Sequence, residues 1–548
     1  MRIRATQEMS VCADAFVEEL PQTSGSSGSG YVKGRTITHG SLKRGLWKVS
    51  WPIFVTALCL STVDLVHVQC AGTLEGNAQA MIGVCDQLMM ICLIVITSFA
   101  NAGAALVSKA FGAGNSKAVA SMNSKMLGLL VASAVVMLLT VLVLSKVLLT
   151  KFSGCVDNCD YTIGEGQKYL NIVVFALVPY AFVASVNSTF IGIGNARVQL
   201  ITLSLMTIVD MAMNYLLVIK GWPIKGMGIS GIATASITAY SVATLAAIFM
   251  WWRSDIFAKG KQDRGSKSTG SEFFRPLLRS GVPAAMQDVA WCSSTFVLFY
   301  ILSLLKHPAE AVAAWTIGQR LEAFALLPLS AMSMAVMVAV GQNVGSSRLE
   351  RAWKAAWGVA ALGVGLLFAA AIALFFLAES LARGATTDET TRIALVSYLQ
   401  IAAFALPFAA LEAVLSGALQ ALNDCKVPML ISLFCNWVVG LGLTYAFAVS
   451  LGHGSSGAWL AAAISTTIIG IAITLRFLTK SEWRGFSPLA GRLAKHVEPV
   501  PSKREAAGLS PISDNFSTAD AADTEAACNE EHVSRGKKAR EIDLPKDV

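Results

Sequence analysis

Long apolar runs constrain this chain more than any other feature of its sequence. One such run, residues 47–69, reads WKVSWPIFVTALCLSTVDLVHVQ and includes the charged residue Asp64. Five others contain no charged residue: 126–145, 226–252, 355–378, 427–452 and 454–475. About 20 apolar residues cross the hydrocarbon core of a bilayer once as a helix. The runs do not alternate between apolar and polar residues, as the strands of a membrane barrel do. The chain is therefore predicted to be a bundle of membrane-spanning helices.

Six more runs carry one or a few charges and bring the predicted number of spans to twelve. They are residues 78–108, 169–190, 197–219, 277–305, 309–341 and 391–421. Charged residues make up 14% of the chain and hydrophobic residues 54%, whereas about 25% of the residues of an average soluble domain are charged. We therefore predict an all-α integral membrane protein with twelve transmembrane helices in a lipid bilayer.

The basic residues predict the orientation of these spans. They concentrate before span 1, after spans 2 and 8, between spans 6 and 7, and after span 12. Because cytoplasmic loops carry the excess of Lys and Arg, both termini are predicted to be cytoplasmic. The net charge of +8 follows from these loops. The basic residues form no patch interleaved with aromatics, so nucleic-acid binding is not predicted. The sequence does not distinguish a plasma membrane from a plastid or vacuole membrane.

Polar segments flank and divide the predicted spans. The predicted divisions are a disordered cytoplasmic tail at 1–43, an N-lobe at 44–252, a cytoplasmic loop at 253–274, a C-lobe at 275–479 and a second disordered cytoplasmic tail at 480–548. The first tail has no apolar segment before a small-residue cleavage site, so it is not a secretory signal. Cys155 and Cys159 lie in a polar loop, where a disulfide can form if the compartment is oxidising.

The second half of the membrane region repeats the first at a shift of about 230 residues. Three short segments correspond in order, and their aligned residues are Pro52 with Pro283, Gly114 with Gly345, and Arg197 with Lys426. Matches at nearly constant spacing indicate a duplicated six-span unit. Since each unit begins and ends in the cytoplasm, the two are parallel repeats. Secondary transporters commonly use such repeats and switch access by rocking one against the other.

Several segments resemble a known family. They are SKAFGAGNSKA after span 2, GIGNARVQL before span 5, DMAMNYLL within it, IKGMGISGIATA into span 6, GQNVGSSR after span 8 and SGALQALNDCKVPM before span 11. Together, over residues 44–479, they are similar to the multidrug and toxic compound extrusion (MATE) family, in the branch related to the DNA-damage-inducible F proteins. The resemblance implies two six-helix lobes around a V-shaped cavity. It also implies export of amphipathic, often cationic, organic compounds in exchange for H⁺ or Na⁺, with no cofactor.

The resemblance also implies a cation site in the N-lobe. In one branch of the family, an acid on the first span and an acid–amide pair on the fifth form this site. Carried over to this sequence, these residues are Asp64, Asp210 and Asn214, which would hold H⁺ or Na⁺. Here the pair begins with Asp where the family usually has Asn, and Gln69 stands where a glycine is usual.

The residues themselves support a functional site in the N-lobe. A carboxylate at the centre of a membrane helix costs about 2.5–3.5 kcal/mol, so Asp64 indicates function. His67 follows it at i+3, and Asn214 follows Asp210 at i+4, so each pair shares a helix face. His67 and Asp64 can share a proton near neutral pH, or His67 only orients the acid. Asp210 and Asn214 complete an oxygen-rich pocket, or only join helices. Pro52 is expected to permit a kink in span 1.

The C-lobe carries a second set of candidates within apolar runs. These are the charged residues Asp288, Arg320, Glu322 and Glu412 and the aromatic residues Trp291 and Trp315. Arg320 is expected to neutralise one of the acids and to leave a cavity wall that attracts cations. Alternatively, Arg320 and Glu322 serve in buried salt bridges, each with another helix because they are only two residues apart. The tryptophans either stack on a flat substrate or pack within the protein.

The sequence offers no sign of an enzyme or an ATP-driven pump. It contains no GxxxxGK[ST] phosphate loop and no HExxH or Ser/His/Asp constellation. We predict a monomeric secondary antiporter that exports small organic compounds against H⁺ or Na⁺. The alternatives are a lipid-linked substrate flippase of the same wider superfamily, or an exporter of organic anions or metabolites in an organelle membrane.

Overall fold

The computed structural model describes residues 36–72, 76–152, 159–219, 228–254 and 271–483. Every regular element within these residues is helical, and twelve helices are long and apolar enough to cross a membrane. The predicted fold class and number of spans are therefore confirmed. We label the twelve spans α1 to α12.

The first six spans include one with a 3₁₀ turn and one that ends in a π turn. Their bounds are α1 Leu42–Gly72, α2 Gly76–Gly112, α3 Ser116–Phe152, α4 Cys159–Val173 with Val174–Ala176 and Leu177–Gly192, α5 Arg197–Asn214 with Tyr215–Ile219, and α6 Gly228–Trp252. A short helix, Thr36–His39, precedes them.

The last six spans follow the same plan, and α11 contains two π turns. Their bounds are α7 Ser271–Ser303, α8 Pro308–Gly345, α9 Leu349–Ala385, α10 Glu389–Ala421, α11 Lys426–Phe434 with Cys435–Gly440, Leu441–Thr444 and Tyr445–Ser450, and α12 Gly454–Leu478. The π turns at Tyr215 and Tyr445 begin 230 residues apart, so they occupy equivalent places in the two halves.

Helix packing repeats between the halves. In the first, α1 packs on α5, α2 on α3 and α4, α3 on α4, and α6 on both α4 and α5. In the second, each of these contacts recurs between the helices six places later, from α7 on α11 to α12 on α10 and α11. The chain therefore forms two pseudo-symmetric six-helix lobes, as predicted. We call α1–α6 the N-lobe and α7–α12 the C-lobe.

Four helix ends show the duplication at the level of single hydrogen bonds. Gly114 and Gly194 adopt left-handed backbone conformations after α2 and α4, and Ser347 and Asn423 do so after α8 and α10. At each end the amide that follows the left-handed residue bonds back five residues, as in a Schellman motif. The backbone therefore pairs Gly114 with Ser347. The sequence alignment above pairs Gly114 with Gly345 and is wrong there by two residues, because conformation rather than residue type marks the equivalent position.

Ser347 is expected to destabilise the protein slightly at its left-handed position, where its φ is 57°. The left-handed conformation costs a residue with a Cβ roughly 1–2 kcal/mol, and glycine relieves this strain. Glycine also has more conformational entropy in the unfolded chain, which lowers the stability by about 0.4–1 kcal/mol and so offsets part of the gain. Ser347→Gly should therefore raise the free energy of unfolding by about 0.5–1 kcal/mol, measured by denaturant titration in detergent micelles. Asn423→Gly is the matched control and should change it little, since asparagine tolerates this conformation. A loss of stability in Ser347→Gly would contradict the expectation.

The backbones of the two lobes approach each other closely where α2 and α8 end. A Cβ added to Gly112 would lie 2.1 Å from the main-chain oxygen of Gln342, and one added to Gly345 would lie 2.0 Å from that of Lys109. Two backbones this close leave room only for glycine. The Gln342 side-chain amide also donates to the Gly192 carbonyl at 2.9 Å. We call the contact of Lys109, Gly112, Gln342 and Gly345 the seam.

The ordered chain extends beyond both predicted ends of the membrane region. Residues 36–43, predicted to be disordered, form the short helix and the start of α1. Residues 481–483 form a 3₁₀ turn, and the fully buried Trp483 packs on Trp353 and Phe477. Burial of large apolar side chains in these segments explains the difference. The other tail residues, 255–270 of the central loop, and the side chains of the Cys155–Cys159 pair lie outside the part that the structure describes.

Candidate functional site

The structure brings three of the predicted N-lobe residues together. The Asp210 carboxylate on α5 lies 2.9 Å from Nε2 of His67 on α1. The side-chain amide of Asn214 donates to the same Asp210 oxygen at 2.9 Å and to the Asp210 carbonyl at 3.0 Å. The sequence predicted the Asp210–Asn214 pair from its i, i+4 spacing. It did not predict that His67 contacts Asp210, because the two residues are 143 positions apart.

This polar group lies inside the N-lobe. Asp210 is 1% exposed and Asn214 is fully buried. The His67 side chain is 21% exposed and is therefore the most accessible of the three. Within the described part of the chain, the Asn214 Oδ1 atom has no hydrogen-bond donor, and neither does the nearby hydroxyl of Thr207. Buried polar atoms are normally satisfied. The site therefore has unused acceptors that a cation or a water molecule can fill.

The local backbone helps to form this site. Asn214 is the last residue of the α-helical part of α5, and the π turn Tyr215–Ile219 follows at once. Single π turns within helices are frequent at functional sites. A hydrophobic cluster around Val63, Val186 and Met206 packs α1 against α4 and α5 beside the polar group. No pattern in the sequence indicated the π turn.

Asp64 lies in α1 one turn before His67, so the helix carries both residues on one side. Its side chain is outside the described part of the structure, and its predicted role stays a prediction. Helix α1 runs without interruption through Pro52. The Thr56 hydroxyl donates to the Pro52 carbonyl at 2.7 Å.

In the C-lobe, Asp288 reaches across to the N-lobe. The Asp288 carboxylate on α7 lies 2.7 Å from the Ser98 hydroxyl on α2, and that hydroxyl also lies 2.8 Å from the Ile94 carbonyl. A hydroxyl has one proton to donate. If Asp288 is ionised, Ser98 can serve only one of the two acceptors, whereas a protonated Asp288 can donate to Ser98 and leave both satisfied. This contact links the lobes between the seam and the opposite ends of the helices.

Glu322 is held by an aromatic residue on another helix. The Tyr398 hydroxyl donates to the Glu322 carboxylate at 2.5 Å, and the Gln319 amide donates to the Tyr398 oxygen at 3.0 Å. Since an amide N–H can only donate, the tyrosine proton is directed toward Glu322. The expected pairing of Glu322 with another helix is thus found, with a tyrosine in place of a cation.

Arg320 does not neutralise an acid in the way the sequence suggested. Within the described residues no ion pair contains Arg320, and its side chain is exposed on α8. The Arg320–Glu322 spacing points the two side chains in different directions, as their separation of two residues requires. The prediction of a buried salt bridge at Arg320 is therefore wrong for the described part of the chain.

Of the two aromatic candidates, Trp315 is packed within the C-lobe and Trp291 is exposed. Trp315 stacks on Trp459 with ring centroids 5.5 Å apart and meets the edge of Tyr398 at 5.5 Å. Its rings are thus used in packing within the C-lobe. Trp291 is 49% exposed. Glu412 is partly buried on α10 and makes no hydrogen bond or ion pair with the described residues.

Tyr398→Phe should destabilise the C-lobe, because it removes a hydroxyl that satisfies Glu322. Hydrogen bonds between membrane helices are worth about 0.6–1.7 kcal/mol, and the loss of stability is expected to fall in this range. Thermal unfolding in detergent should show the loss. A double-mutant cycle with Glu322→Gln provides the control, since the two changes should not add. Full additivity would show that the pair does not interact.

Sequence reasoning missed three polar partners. Ser98 and Tyr398 bind acids that the sequence had singled out, and Tyr169 donates to Asp86 at 2.7 Å inside the N-lobe. The useful signal would have been a tyrosine or serine within an otherwise apolar span.

The comparisons with known proteins match both lobes. The MatE family matches residues 52–216 and 283–446, one segment in each lobe and together more than half of the chain. The chain belongs to the MatE family. It is therefore a multi-pass membrane protein and a secondary transporter rather than an enzyme, and the predicted MATE resemblance is confirmed. Its placement in the DNA-damage-inducible F-like branch stays a prediction.

Individual relatives agree with this assignment. A probable multidrug resistance protein NorM of a Synechocystis species is 24% identical over 79% of this chain and 94% of its own length. Among solved structures, a crystal structure of MATE in the straight conformation has a TM-score of 0.71 at 17% identity, covering 81% of this chain and 97% of that chain. An outward-facing multidrug resistance MATE transporter has a TM-score of 0.73 at 17% identity, with 83% and 98% covered. At this identity the structures support the fold alone.

Proposed function

We propose that this MatE protein is an antiporter that exports cationic or amphipathic organic compounds in exchange for protons. The contact of His67 with Asp210 carries the proposal. The proposed proton site contains this pair together with Asn214 and Asp64. The proposal keeps the orientation inferred from the basic loops, with both termini cytoplasmic and the protein acting as a monomer.

The charge of the pair explains how a proton can drive the protein. One Asp210 oxygen accepts from the Asn214 amide and lies 2.9 Å from Nε2 of His67, a position in which an ionised carboxylate accepts an N–H from both groups. With a neutral imidazole the buried group has a charge of −1, and one added proton makes it neutral overall. Burial of a net charge is costly. Proton uptake therefore stabilises the closely packed arrangement of α1 against α5, and proton release loosens it.

Exchange follows from linkage between the two ligands. If a bound proton lowers the affinity for an organic cation, the bound cation must lower the affinity for the proton by the same factor. A negative site within the N-lobe attracts a cationic substrate while it is deprotonated. Asp64, one turn before His67, adds a second negative group on the same helix. Protonation at these residues then favours substrate release on the far side.

Sodium is the second candidate for the coupling ion, and one observation favours it. The Asn214 Oδ1 atom is a buried acceptor without a donor among the described residues, and amide and carboxylate oxygens suit a hard cation. Against sodium, the Asp210 oxygen already lies 2.9 Å from nitrogen atoms of both His67 and Asn214, and one of these groups would have to move away.

Transport in proteoliposomes tests the proposal. Vesicles containing the purified protein are loaded with ethidium, and efflux is followed while the pH gradient and the Na⁺ gradient are collapsed in turn. We expect efflux to stop when the pH gradient is removed and to continue without Na⁺. Asp64→Asn should lose the gradient-driven component while inserting normally. Efflux that depends on Na⁺ alone would replace the proton by sodium, and movement of lipid-linked compounds or organic anions without ion exchange would overturn the antiport.

A further inference from the structure

The segment that precedes α1 lies across the place where the lobes meet. Two arginines that follow α8 donate to its backbone: Arg348 to the Thr38 carbonyl, and Arg351 to the carbonyls of Ile37 and Gly40. The Arg351–Ile37 contact is 3.0 Å long. Three charge-assisted bonds to main-chain oxygens fix this short segment to the C-lobe. We call residues 37–40 the latch.

The latch is also inserted into the apolar interior through one side chain. Ile37 is 2% exposed and belongs to a cluster that includes Val49 of α1 and Val340 of α8. A Cβ added to Gly45 would lie 2.9 Å from Ile37, and one added to Gly194 would lie 3.5 Å from it. Both glycines belong to the N-lobe. Its backbone accepts from the two C-lobe arginines, and Ile37 lies against Gly45 and Gly194 of the N-lobe, so the same four-residue segment contacts both lobes.

The position of the latch coincides with the seam. A cavity of about 190 Å³ lies between them, lined by Thr38 of the latch, Gly112 of α2, and Ser346 and Arg348 of the C-lobe. Gly194 lies close to both Ile37 and the side chain of Gln342, a seam residue. Separation of α2 from α8 at this end would pull the two sets of latch contacts apart. One set has to break before the lobes can open here.

We propose that the latch holds the seam end of the transporter closed and sets how often that end opens. The inference rests on the proposed antiport, and on the rocking of one lobe against the other by which transporters with such repeats switch access. The contacts of the latch add to the helix–helix packing of the seam. The closed state is therefore more populated with the latch in place than without it. Any event on the chain before residue 37 that withdraws the latch would favour opening at this end. The latch thus makes the N-terminal segment a means of regulating transport.

Distance measurements on the full chain test this directly. Lys117 and Lys426 are exposed residues at the beginnings of α3 and α11, one in each lobe and both at the seam end. Nitroxide labels are attached there through an introduced ketone-bearing amino acid, which leaves the native thiols untouched. Pulsed electron–electron double resonance then gives the distribution of distances between the two labels in lipid nanodiscs without substrate. In the labelled protein without further substitutions, we expect a single short distance between the two labels. Ile37→Ala and Arg351→Gln should each raise the ratio of long to short distances about tenfold.

Two matched variants separate the latch from general effects. Ile473→Ala shortens a fully buried isoleucine of α12, and Arg383→Gln removes the charge of an arginine at the other end of α9. Both should leave the ratio within twofold of its original value. An unchanged ratio in Ile37→Ala and Arg351→Gln, with both proteins monodisperse, would overturn the latch. If the ratios shift as expected but no gradient drives efflux, the proposed antiport fails and the latch stands.

Discussion

Asp210→Asn is expected to reduce proton-driven efflux at least tenfold while leaving the protein folded. Asparagine keeps an oxygen that can accept from His67 and Asn214, so the packing of α1 on α5 is retained. The substitution removes the negative charge that would stabilise a protonated His67. An intramembrane acid is costly to keep and is normally retained for function. Initial efflux rates in proteoliposomes, measured over a series of external pH values, should show both a low rate and a flat pH dependence.

Asp388→Asn is the matched control for this prediction. Asp388 caps the beginning of α10 from an exposed loop, where its carboxylate accepts from the Thr391 amide at 2.8 Å. Hydrogen bonds from Thr391 hold the pKa of this carboxyl below its usual range. Asparagine is also a good N-cap, so Asp388→Asn removes one charge with little change in structure. Its efflux should stay near the original rate. Equal efflux in Asp210→Asn would remove Asp210 from the coupling mechanism.

Gly112→Ala is expected to open the seam and to reduce efflux at least tenfold. The new methyl group would lie 2.1 Å from the Gln342 main-chain oxygen and 2.7 Å from the Gln342 Cα. Because these atoms belong to the backbone, α2 and α8 must separate to make room. Overpacking of this kind costs about 1–3 kcal/mol, and one or two kcal/mol changes the ratio of two states by a factor of about 5–30. The distance between Lys117 and Lys426 labels should lengthen in parallel with the loss of efflux.

Two further variants show whether the effect belongs to the seam. Gly345→Ala places a methyl group 2.0 Å from the Lys109 main-chain oxygen and should behave in the same way, because the two contacts are related by the repeat. Gly128→Ala, on α3, meets nothing within 4 Å. It should leave efflux unchanged and can add up to about 1 kcal/mol of stability by replacing a helical glycine. Normal efflux in both seam variants would show that the close approach of α2 and α8 is not needed for transport.

The N-lobe site was predictable only as far as local geometry extends. Asp210 and Asn214 share a helix face by their spacing alone, and in the structure the Asn214 amide donates to the Asp210 carboxylate. His67 was assigned to Asp64, its neighbour in the same helix, because spacing reports only contacts within a helix. Its contact with Asp210 depends on how α1 packs on α5. The same limit applies to Glu322, since its partner Tyr398 lies 76 residues away on α10.

By itself, the sequence determined the twelve spans, the duplication and the family, because each of these is written in runs and motifs that are contiguous in the chain. Helix length and apolar composition follow from the thickness of a bilayer and need no knowledge of neighbouring helices. Only the tertiary structure decided which polar groups meet, where the two lobes touch, and that residues before α1 cross the seam. These contacts join residues more than 140 and in places more than 300 positions apart. They arise from the packing of helices that are distant in the chain, and no local pattern records that packing.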